Sequence, residues 1–353
     1  MNLEEHHIYF QNSSLEELFL IFRNNTYSKS AILVDENTFH HCYPYLRQIP
    51  LHSLIKIQSG EERKNLQTCT DIWQHLTDEE FDRKGIVINL GGGVIGDMGG
   101  FCASTYKRGI AFIQIPTTLL SMVDASIGGK LGIDFNGFKN HIGVFKEPLG
   151  VYIFPEFLKT LDERELRSGF AEIIKHCLIR DKSKWAEIQK ISIKNINDKD
   201  FDWSGLIRHS IEIKAAVVME DPTEKGLRKI LNFGHTLGHA VETYFLGIPE
   251  KKLLHGEAIA IGMICEAWLS YHYTLISSIE LDELTNYLIK IFGKTNIADS
   301  DLAYILPLTM QDKKNSHGKV KFSLLKAIGD CGFDFEVSFE DMRLALNYYT
   351  NLP

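Results

Sequence analysis

The spacing of hydrophobic positions differs between the first 155 residues and the rest of the chain. In the first part, short β-branched and aliphatic runs alternate with segments such as 66–76 and 94–106, where apolar residues recur at helical spacing. This alternation predicts a parallel sheet with helices on both faces. The predicted strands are Ala31 to Val34, Leu54 to Ile57, Ile86 to Leu90 and Ala111 to Ile115.

From about Pro155 onward, apolar residues recur at helical spacing through most of the chain. The predicted helical segments are 162–179, 201–219, 229–246, 255–274 and 279–292, with one β-like stretch at 319–325. The predicted fold class is therefore α/β plus all-α. We predict an α/β domain over residues 1–155 and a mainly helical domain over residues 156–353.

Composition narrows the class of protein. The 353 residues are 44% hydrophobic and 24% charged, which is typical of a globular protein, and no apolar run is long enough to span a membrane. The net charge of −8 argues against a nucleic-acid coat, although an anionic small molecule fits a local basic pocket. The N-terminus shows no secretory signal, and the six cysteines form no CxxC pair. We therefore expect reduced thiols and a cytoplasmic protein.

A glycine-rich segment, INLGGGVIGDMGG, follows the third predicted strand and opens a predicted helix. Glycines let backbone N–H groups approach a pyrophosphate, and a helix N-terminus attracts anions. The spacing differs from the usual GxGxxG, and a tight turn without a ligand is the alternative. Further polar residues follow the other strands, where a nucleotide is expected to lie. They are Asp35, Asn37, Gly60, Glu61, Lys64, Thr117 and Thr118.

Three segments of the helical half carry candidate metal ligands. In SGFAEIIKH, Glu172, Lys175 and His176 share one helix face, and LLHGEA places His255 at a predicted helix start. In RKILNFGHTLGHA, the residues on one predicted helix face are Arg228, Asn232, His235 and His239. Catalytic zinc takes three protein ligands and keeps one position open, which suits Glu172, His235 and His255. His235 with His239 is an equally good chelating pair by spacing, and hydrogen-bonded core histidines are the third interpretation.

Basic residues cluster in and around the segment VDASIGGKLGIDFNGFKN. Its glycines allow backbone and short polar groups to close on a phosphate or carboxylate, whereas solvated surface charge is the alternative for any single lysine. The residues concerned are Arg108, Asp124, Lys130, Lys139 and Asn140, with Lys313 and Lys314 far downstream.

Nine motifs in order resemble one family, the 3-dehydroquinate synthases of the sugar-phosphate cyclase group. They are GGGVIGD, FCASTYKRGI, IPTTLL, VDASIGGK, KN, SGFAEIIKH, LNFGHTLGHA, HGEA and DKK, and the resemblance runs from residue 31 to residue 326. It implies a Rossmann-like nucleotide domain, a helical metal domain and a substrate cleft between them. It also implies NAD and Zn²⁺ (or Co²⁺) as cofactors.

The resemblance assigns roles residue by residue. It places the metal on Glu172, His235 and His255, which makes His239 a substrate or acid–base residue. The other catalytic positions it implies are Lys175, Asp124 and Asn232. The implied substrate-binding positions are Arg108, Lys130, Asn140, Arg228 and Lys314, the last favoured over Lys313. The implied NAD-binding positions are Asp35, Asn37, Glu61, Lys64, Gly93, Asp97, Thr117, Thr118 and Lys139.

The resemblance also implies a reaction and an assembly. The implied substrate is 3-deoxy-D-arabino-heptulosonate 7-phosphate. The implied steps are transient oxidation, phosphate elimination, reduction, ring opening and aldol closure. Arg108 is expected to reach the active site of the neighbouring subunit in a homodimer. The rival functions are a metal-dependent polyol dehydrogenase, another sugar-phosphate cyclase and a non-catalytic nucleotide sensor.

Overall fold

The computed structural model describes residues 2–10, 16–24, 27–49, 52–136, 138–311 and 320–353. The chain divides into two compact units, the first formed by Met1–Asp162 with Asp202–Ala215 and the second by Glu163–Phe201 with Ala216–Pro353. Lys313 and Lys314 lie outside the described residues. Within the described ranges, no helix has both the length and the apolar character needed to cross a membrane.

The first unit is built on a parallel sheet. Its strands, with those of a small hairpin, are β1 (Ile8–Phe10), β2 (Ser30–Asp35), β3 (His52–Ile57), β4 (Ile86–Gly91), β5 (Ala111–Pro116), β6 (Lys130–Phe135), β7 (Phe138–Phe145) and β8 (Val151–Ile153). In the described part of the chain, the parallel sheet has the order β1-β8-β5-β4-β2-β3, and β6 pairs with β7 in antiparallel fashion. The predicted parallel sheet is confirmed.

Residues 202–215 add the start of a further helix to the first unit. Four helices lie in its N-terminal segment, as far as that is described. They are α1 (Glu16–Asn24), α2 (Glu36–His41), α3 (Leu66–Asp78) and α4 (Gly93–Thr105). Helix α4 lies close to the strands because two of its glycines face them. A Cβ at Gly99 would lie 2.1 Å from Asn89 Oδ1, and one at Gly100 would lie 2.4 Å from Leu131 Cδ2. The glycine-rich segment is therefore required for helix–sheet packing, whatever it binds.

After residue 162 the chain is mainly helical, as predicted. The helices are α5 (Glu163–Arg180), α6 (Lys182–Ile188), α7 (Ile193–Ile196), α8 (Ser204–Glu220), α9 (His235–Leu246), α10 (His255–His272), α11 (Ser278–Phe292), α12 (Asp299–Leu308) and α13 (Phe339–Thr350). The strands are β9 (Val320–Ala327) and β10 (Asp330–Val337), which form an antiparallel pair. The β-like prediction over 319–325 matches β9, whereas β10 was not predicted.

Glycines bring the backbones of α5, α9 and α10 into contact. A Cβ at Gly256 of α10 would lie 2.0 Å from the Ser168 carbonyl oxygen, and one at Gly262 would lie 1.9 Å from the Gly234 carbonyl oxygen. Real Cβ atoms do not approach so closely, so a larger residue would push these helices apart. This close packing positions the N-terminal ends of α9 and α10, where two of the candidate ligands are located.

The predicted single helix over 229–246 is wrong. Leu227–Asn232 forms a 3₁₀ helix, and the α-helix begins only at His235. Gly234 interrupts the two with φ +79°, a left-handed conformation that glycine adopts without strain. Arg228 and Asn232 therefore do not share a helix face with His235 and His239.

Candidate functional site

The second unit brings four candidate ligands together. Glu172 lies in the middle of α5, His235 and His255 are the first residues of α9 and α10, and His239 is one turn into α9. Glu172 Oε1 lies 3.5 Å from His235 Nε2 and 3.4 Å from His255 Nε2. The donor nitrogens of His235, His239 and His255 all lie within 4.8 Å of one another. The structure therefore forms one cluster from three helices.

The spacing of the donor atoms fits a metal ion. Ligand atoms about 2.0–2.1 Å from a tetrahedral zinc ion lie about 3.3–3.4 Å from one another, close to the distances from Glu172 to the two histidines. Glu172 is fully buried; its Oε2 pairs with the Lys175 ammonium, and its Oε1 faces the two histidine nitrogens. One carboxylate oxygen and two imidazole nitrogens are donor types that zinc takes in catalytic sites. The residues present therefore fit a bound zinc or cobalt ion.

His235 and His255 each direct Nε2 toward the cluster, and this is the nitrogen that a metal would bind. His235 Nδ1 lies 3.1 Å from the Phe233 carbonyl oxygen, and His255 Nδ1 lies 3.4 Å from Glu242 Oε2. A neutral imidazole whose Nδ1 proton is held by such an acceptor presents its Nε2 lone pair to a metal. Glu242, only 5% exposed, was not among the sequence-predicted site residues because it looks like an ordinary helix residue.

Charges within the cluster shift its acidities in opposite directions. Burial would raise the pKa of Glu172, but Lys175, His235 and His255 hold it well below its usual value. Burial, followed by the charge of Lys175, lowers the pKa of His235 well below that of free histidine. Burial acts the same way on His255, yet Glu242 and Glu172 outweigh it and raise its pKa to about 10. Glu172 and His235 are thus held in the ionisation states that bind metals.

Lys175 and His239 flank the cluster with different exposure. The Lys175 ammonium forms an ion pair with Glu172 on the same face of α5 and is 1% exposed. His239 is exposed, although its ring centroid lies 5.0 Å from that of His235. A lysine fixed beside the carboxylate and an accessible imidazole are suited to proton transfer.

Arg228 and Asn232 lie in the 3₁₀ helix that precedes the cluster. Arg228 is 1% exposed and donates from Nη1 to the Pro222 carbonyl oxygen over 2.6 Å. Asn232 Nδ2 donates to Glu224 Oε1 over 2.6 Å. These hydrogen bonds do not involve the donor atoms of the cluster. The substrate-binding roles predicted for Arg228 and Asn232 stay predictions.

In the first unit, a buried lysine organises the predicted nucleotide residues. Lys64 Nζ donates to Asp97 Oδ2 and to Asn140 Oδ1, each over 2.6 Å, and Lys139 Nζ lies 3.4 Å from Glu61 Oε1. Burial alone would lower the pKa of Lys64, but Asp97 and then Glu61 raise it. The predicted cofactor residues Glu61, Lys64, Asp97 and Lys139 are thus brought together, along with Asn140, which was predicted to bind substrate.

The glycine turn leaves the N-terminus of α4 accessible. Gly92 is the N-cap, no side chain caps the first turn, and a Cβ at Gly93 would meet only Ala125, at 3.5 Å. Uncapped N–H groups at a helix N-terminus fit a phosphate group. Thr118 follows β5 and exchanges hydrogen bonds with Ser121, while Thr117 donates its backbone N–H to the Gly91 carbonyl oxygen.

Two other predicted cofactor residues have local structural roles. The Asp35 carboxylate accepts the Thr38 N–H over 2.8 Å and so caps α2. Asn37 is exposed in the first turn of the same helix. Asp35 is partly exposed, so its second oxygen remains a candidate acceptor for a ribose hydroxyl.

Asp124 has a partner that the sequence analysis missed. It lies in a π-helical turn at Ser121–Ala125, a rare geometry that is frequent at functional sites. Lys214 Nζ donates to Asp124 Oδ1 over 2.7 Å and to the Asp124 carbonyl oxygen over 2.6 Å, and Lys214 is 6% exposed. A lysine flanked by apolar helix residues gives no signal in the sequence that would distinguish it from a solvated charge.

Lys130 and Arg108 are exposed in the first unit. Lys130 begins β6, so the segment predicted as a glycine-rich loop is largely a β-hairpin. Arg108 lies in a turn where Lys107, Arg108 and Gly109 have φ of +49°, +69° and +111°. Left-handed backbone costs about 1 kcal/mol per non-glycine residue. Such strain is typical of segments that serve a function.

A parallel sheet with an open helix N-terminus and a three-donor cation cluster are typical of metal-dependent enzymes that use a dinucleotide. The family profiles described as "3-dehydroquinate synthase N-terminal" and "3-dehydroquinate synthase C-terminal" match residues 54–168 and 169–315. The 3-dehydroquinate synthase of Parabacteroides distasonis is 38% identical over 326 residues, which are 92% of this chain and 92% of that protein. The chain therefore belongs to the 3-dehydroquinate synthase family and is an enzyme of that family, as the motifs predict.

Solved structures agree with this fold. A 2-deoxy-scyllo-inosose synthase complexed with carbaglucose-6-phosphate, NAD⁺ and Co²⁺ superposes with a TM-score of 0.84 and 24% identity, covering 97% of this chain and 96% of that one. A 2-epi-5-epi-valiolone synthase from Streptomyces hygroscopicus, with NAD⁺ and Zn²⁺ bound, gives a TM-score of 0.83 and 26% identity at the same coverage. The predicted fold class is confirmed.

Proposed function

We propose that the chain converts 3-deoxy-D-arabino-heptulosonate 7-phosphate to 3-dehydroquinate and phosphate, with NAD and one Zn²⁺ (or Co²⁺) as cofactors. The observation that carries the proposal is the spacing of Glu172 Oε1 from the Nε2 atoms of His235 and His255, at 3.5 and 3.4 Å. When bound, the metal supplies Lewis acidity and NAD supplies a transient hydride acceptor. Substrate binding, orientation and proton transfer are assigned to side chains of the protein.

Glu172, His235 and His255 are proposed as the ligands, with His239 left for substrate. Glu172 is buried and its Oε1 faces the Nε2 atoms of His235 and His255, whereas His239 is exposed and accessible to a ligand. His239 also lies beside the cluster, where its imidazole is suited to exchange a proton with a hydroxyl group of the substrate. Lys175, held by Glu172, is proposed to orient and polarise the same region.

Anionic groups of the substrate need basic partners. We propose Lys130, Asn140, Arg228, Asn232 and Lys314 as substrate-binding residues, with Asp124 as a catalytic residue. Lys214 supports the last assignment because it pairs with the Asp124 carboxylate and holds it in place. Fixing phosphate and carboxylate groups orients the reacting carbon, which by itself contributes a large rate factor.

NAD is proposed to bind at the carboxyl ends of the parallel strands, where the open N-terminus of α4 would hold its pyrophosphate. The residues proposed to contact it are Asp35, Asn37, Glu61, Lys64, Gly93, Asp97, Thr117, Thr118 and Lys139. The fit of Gly93, whose position leaves room for a ligand, supports this placement. The 26%-identical synthase with NAD⁺ and Zn²⁺ bound supports the choice of cofactors.

A phosphate-release assay tests the function. Purified protein supplied with zinc, NAD and the heptulosonate phosphate is expected to release inorganic phosphate while absorbance at the NADH wavelength stays flat. The reason is that each hydride taken from substrate returns to it within the same turnover. Steady accumulation of NADH would favour a polyol dehydrogenase, and phosphate release only from another heptose or hexose phosphate would favour a different cyclase.

Assembly is the second part of the proposal. We propose a cytoplasmic homodimer in which the exposed Arg108, held on its strained turn, completes the phosphate pocket of the neighbouring subunit. Arg108→Ala and Lys175→Ala proteins are each expected to be inactive, and a mixture under verified subunit exchange is expected to recover up to about a quarter of wild-type activity in hybrid dimers. No recovery would contradict a shared site.

A further inference from the structure

Helix α9, which carries His235 as its first residue, has no capping side chain of its own. The N-cap position is Gly234, whose φ of +79° suits glycine, and a Cβ there would lie 2.5 Å from Met263 Cγ. Serine, threonine, asparagine and aspartate are the residues that usually satisfy the first N–H groups of a helix. At this position space excludes all four, and the left-handed backbone also disfavours serine and threonine.

A carboxylate from α10 supplies the missing cap. Glu266 Oε2 accepts the Gly234 N–H over 2.6 Å, and Glu266 Oε1 accepts the Leu237 N–H over 3.1 Å. Glu266 is 0% exposed, so these are charge-assisted bonds in a medium of low polarity. The partial positive charge of the helix N-terminus adds to them.

The two N–H groups flank the metal ligand in sequence. Gly234 immediately precedes His235, and Leu237 follows it by two residues, so one buried carboxylate holds the backbone on both sides of the ligand. The ring itself is oriented through Nδ1 and the Phe233 carbonyl oxygen, one residue before Gly234. The Nδ1 contact that orients the His235 ring therefore comes from backbone directly next to the N–H groups that Glu266 holds.

We propose that Glu266 is a positioning residue for the metal, which sets the affinity of the site through the placement of His235. This inference rests on the proposed metal ligands Glu172, His235 and His255. Glu266 acts through the backbone, because it accepts the N–H groups of Gly234 and Leu237 on either side of His235. Outer groups that orient metal ligands typically contribute about 10- to 100-fold to metal affinity.

The experiment measures metal affinity rather than activity. Metal-free wild type, Glu266→Gln and Glu266→Ala are titrated with Zn²⁺ against a competing chelator, and the Co²⁺-loaded forms are compared by visible absorption, which reports ligand geometry. Both variants are expected to bind Zn²⁺ about 10- to 100-fold more weakly, with an altered Co²⁺ spectrum. Gln conserves the volume of Glu and carries the test if Ala does not fold.

A matched control separates positioning from general destabilisation. Tyr287 of α11 is 5% exposed, and its hydroxyl donates to the Ile188 and Ile191 carbonyl oxygens over 2.6 and 3.1 Å. Tyr287→Phe removes buried hydrogen bonds of the same unit and is expected to lower the melting temperature while leaving Zn²⁺ affinity within about twofold.

Three outcomes would overturn the inference. If wild type does not bind Zn²⁺, the proposed metal site fails and the role of Glu266 fails with it. If wild type binds Zn²⁺ and the folded Glu266 variants bind it within twofold, only the role of Glu266 fails. If Tyr287→Phe weakens Zn²⁺ binding as much as the Glu266 variants do, Glu266 has a general structural role and no special effect on the ligand.

Discussion

The two units hold their buried charges in contrasting ways. In the first, Lys64, Asp97 and Asn140 satisfy one another through hydrogen bonds of 2.6 Å. In the second, Glu172 is fully buried and pairs with the Lys175 ammonium, while its Oε1 faces two imidazoles at 3.4 and 3.5 Å. The first arrangement consists of protein groups that pair with one another, whereas the second also presents three donor atoms spaced for a metal ion.

The two clusters therefore differ in what each needs in order to form during folding. A buried ion pair with good hydrogen bonds can be formed during folding without a ligand. Metal ligands that lie side by side depend on the surrounding backbone to keep their donor atoms in place. Here the close packing of α5, α9 and α10 does so. We therefore expect changes in the first cluster to affect mainly stability and changes in the second to affect mainly metal binding.

The largest effect is expected for the metal ligands. His235→Ala should weaken Zn²⁺ binding by on the order of 10³-fold, because one of three protein ligands is lost. His239→Ala should retain Zn²⁺ affinity within a few-fold while losing activity. Chelator competition measures the first quantity and phosphate release the second. Equal loss of metal in both variants would favour the His235–His239 chelate instead.

The next effect tests the self-sufficient cluster. Lys64→Met should reduce the free energy of unfolding by about 3 kcal/mol, because Asp97 is left mostly buried without its cation. Urea denaturation measures the loss, and Zn²⁺ affinity should stay unchanged. The double variant Lys64→Met with Asp97→Leu should recover most of the stability. A loss below about 1 kcal/mol would mean that the pair is more strongly solvated than its burial indicates.

A third effect concerns the backbone contact that keeps the metal cluster open. Gly262→Ala should destabilise the protein by about 2 kcal/mol, because the new methyl group meets the Gly234 carbonyl oxygen. Unlike Lys64→Met, it should also weaken Zn²⁺ binding. Gly205→Ala is the control, since a Cβ at that position meets nothing within 4 Å. Unchanged Zn²⁺ affinity in Gly262→Ala would separate the packing of α9 and α10 from the metal site.

The smallest effect is expected for Asp341, which lies outside both clusters and serves as a reference. Asp341 accepts hydrogen bonds from Ser338 Oγ at 2.7 Å and from the Tyr273 hydroxyl at 2.9 Å, and the bond from Ser338 is the main cause that lowers its pKa. A lowered pKa stabilises the fold above about pH 4 and loses that effect as pH falls through the native value. Asp341→Asn should therefore cost about 0.5 kcal/mol at pH 7 and nothing near pH 2, by urea denaturation. An equal cost at both values would exclude the charge as its source.

Much of the fold follows from local pattern. The β-branched runs at 31–34 and 86–90 become fully buried central strands, which have no exposed face to obscure their signal. By contrast, β1 and β8 are three residues long and carry too little pattern to be recognised. The hairpin of β6 and β7 is hidden because its glycines predict a loop.

The site was predictable where ligand types are distinctive and not where geometry decides. Histidines near glycines and a glutamate inside an apolar helix attract notice, so Glu172, His235 and His255 were identified as candidates. Lys214 and Glu266 resemble ordinary helix residues, and only tertiary structure places them against Asp124 and the start of α9. The break at Gly234 was missed because helical spacing continues across it.

The pairing of Asp124 with Lys214 also bears on biosynthesis. Residues 202–215 belong to the same compact unit as residues 1–162, although some forty residues of the other unit are translated between them. Nascent domains ordinarily fold in order as they leave the ribosome. Here the first unit is complete only after Lys214 has been translated. A gene that ends after codon 162 would therefore encode a sheet without the ammonium group that holds Asp124.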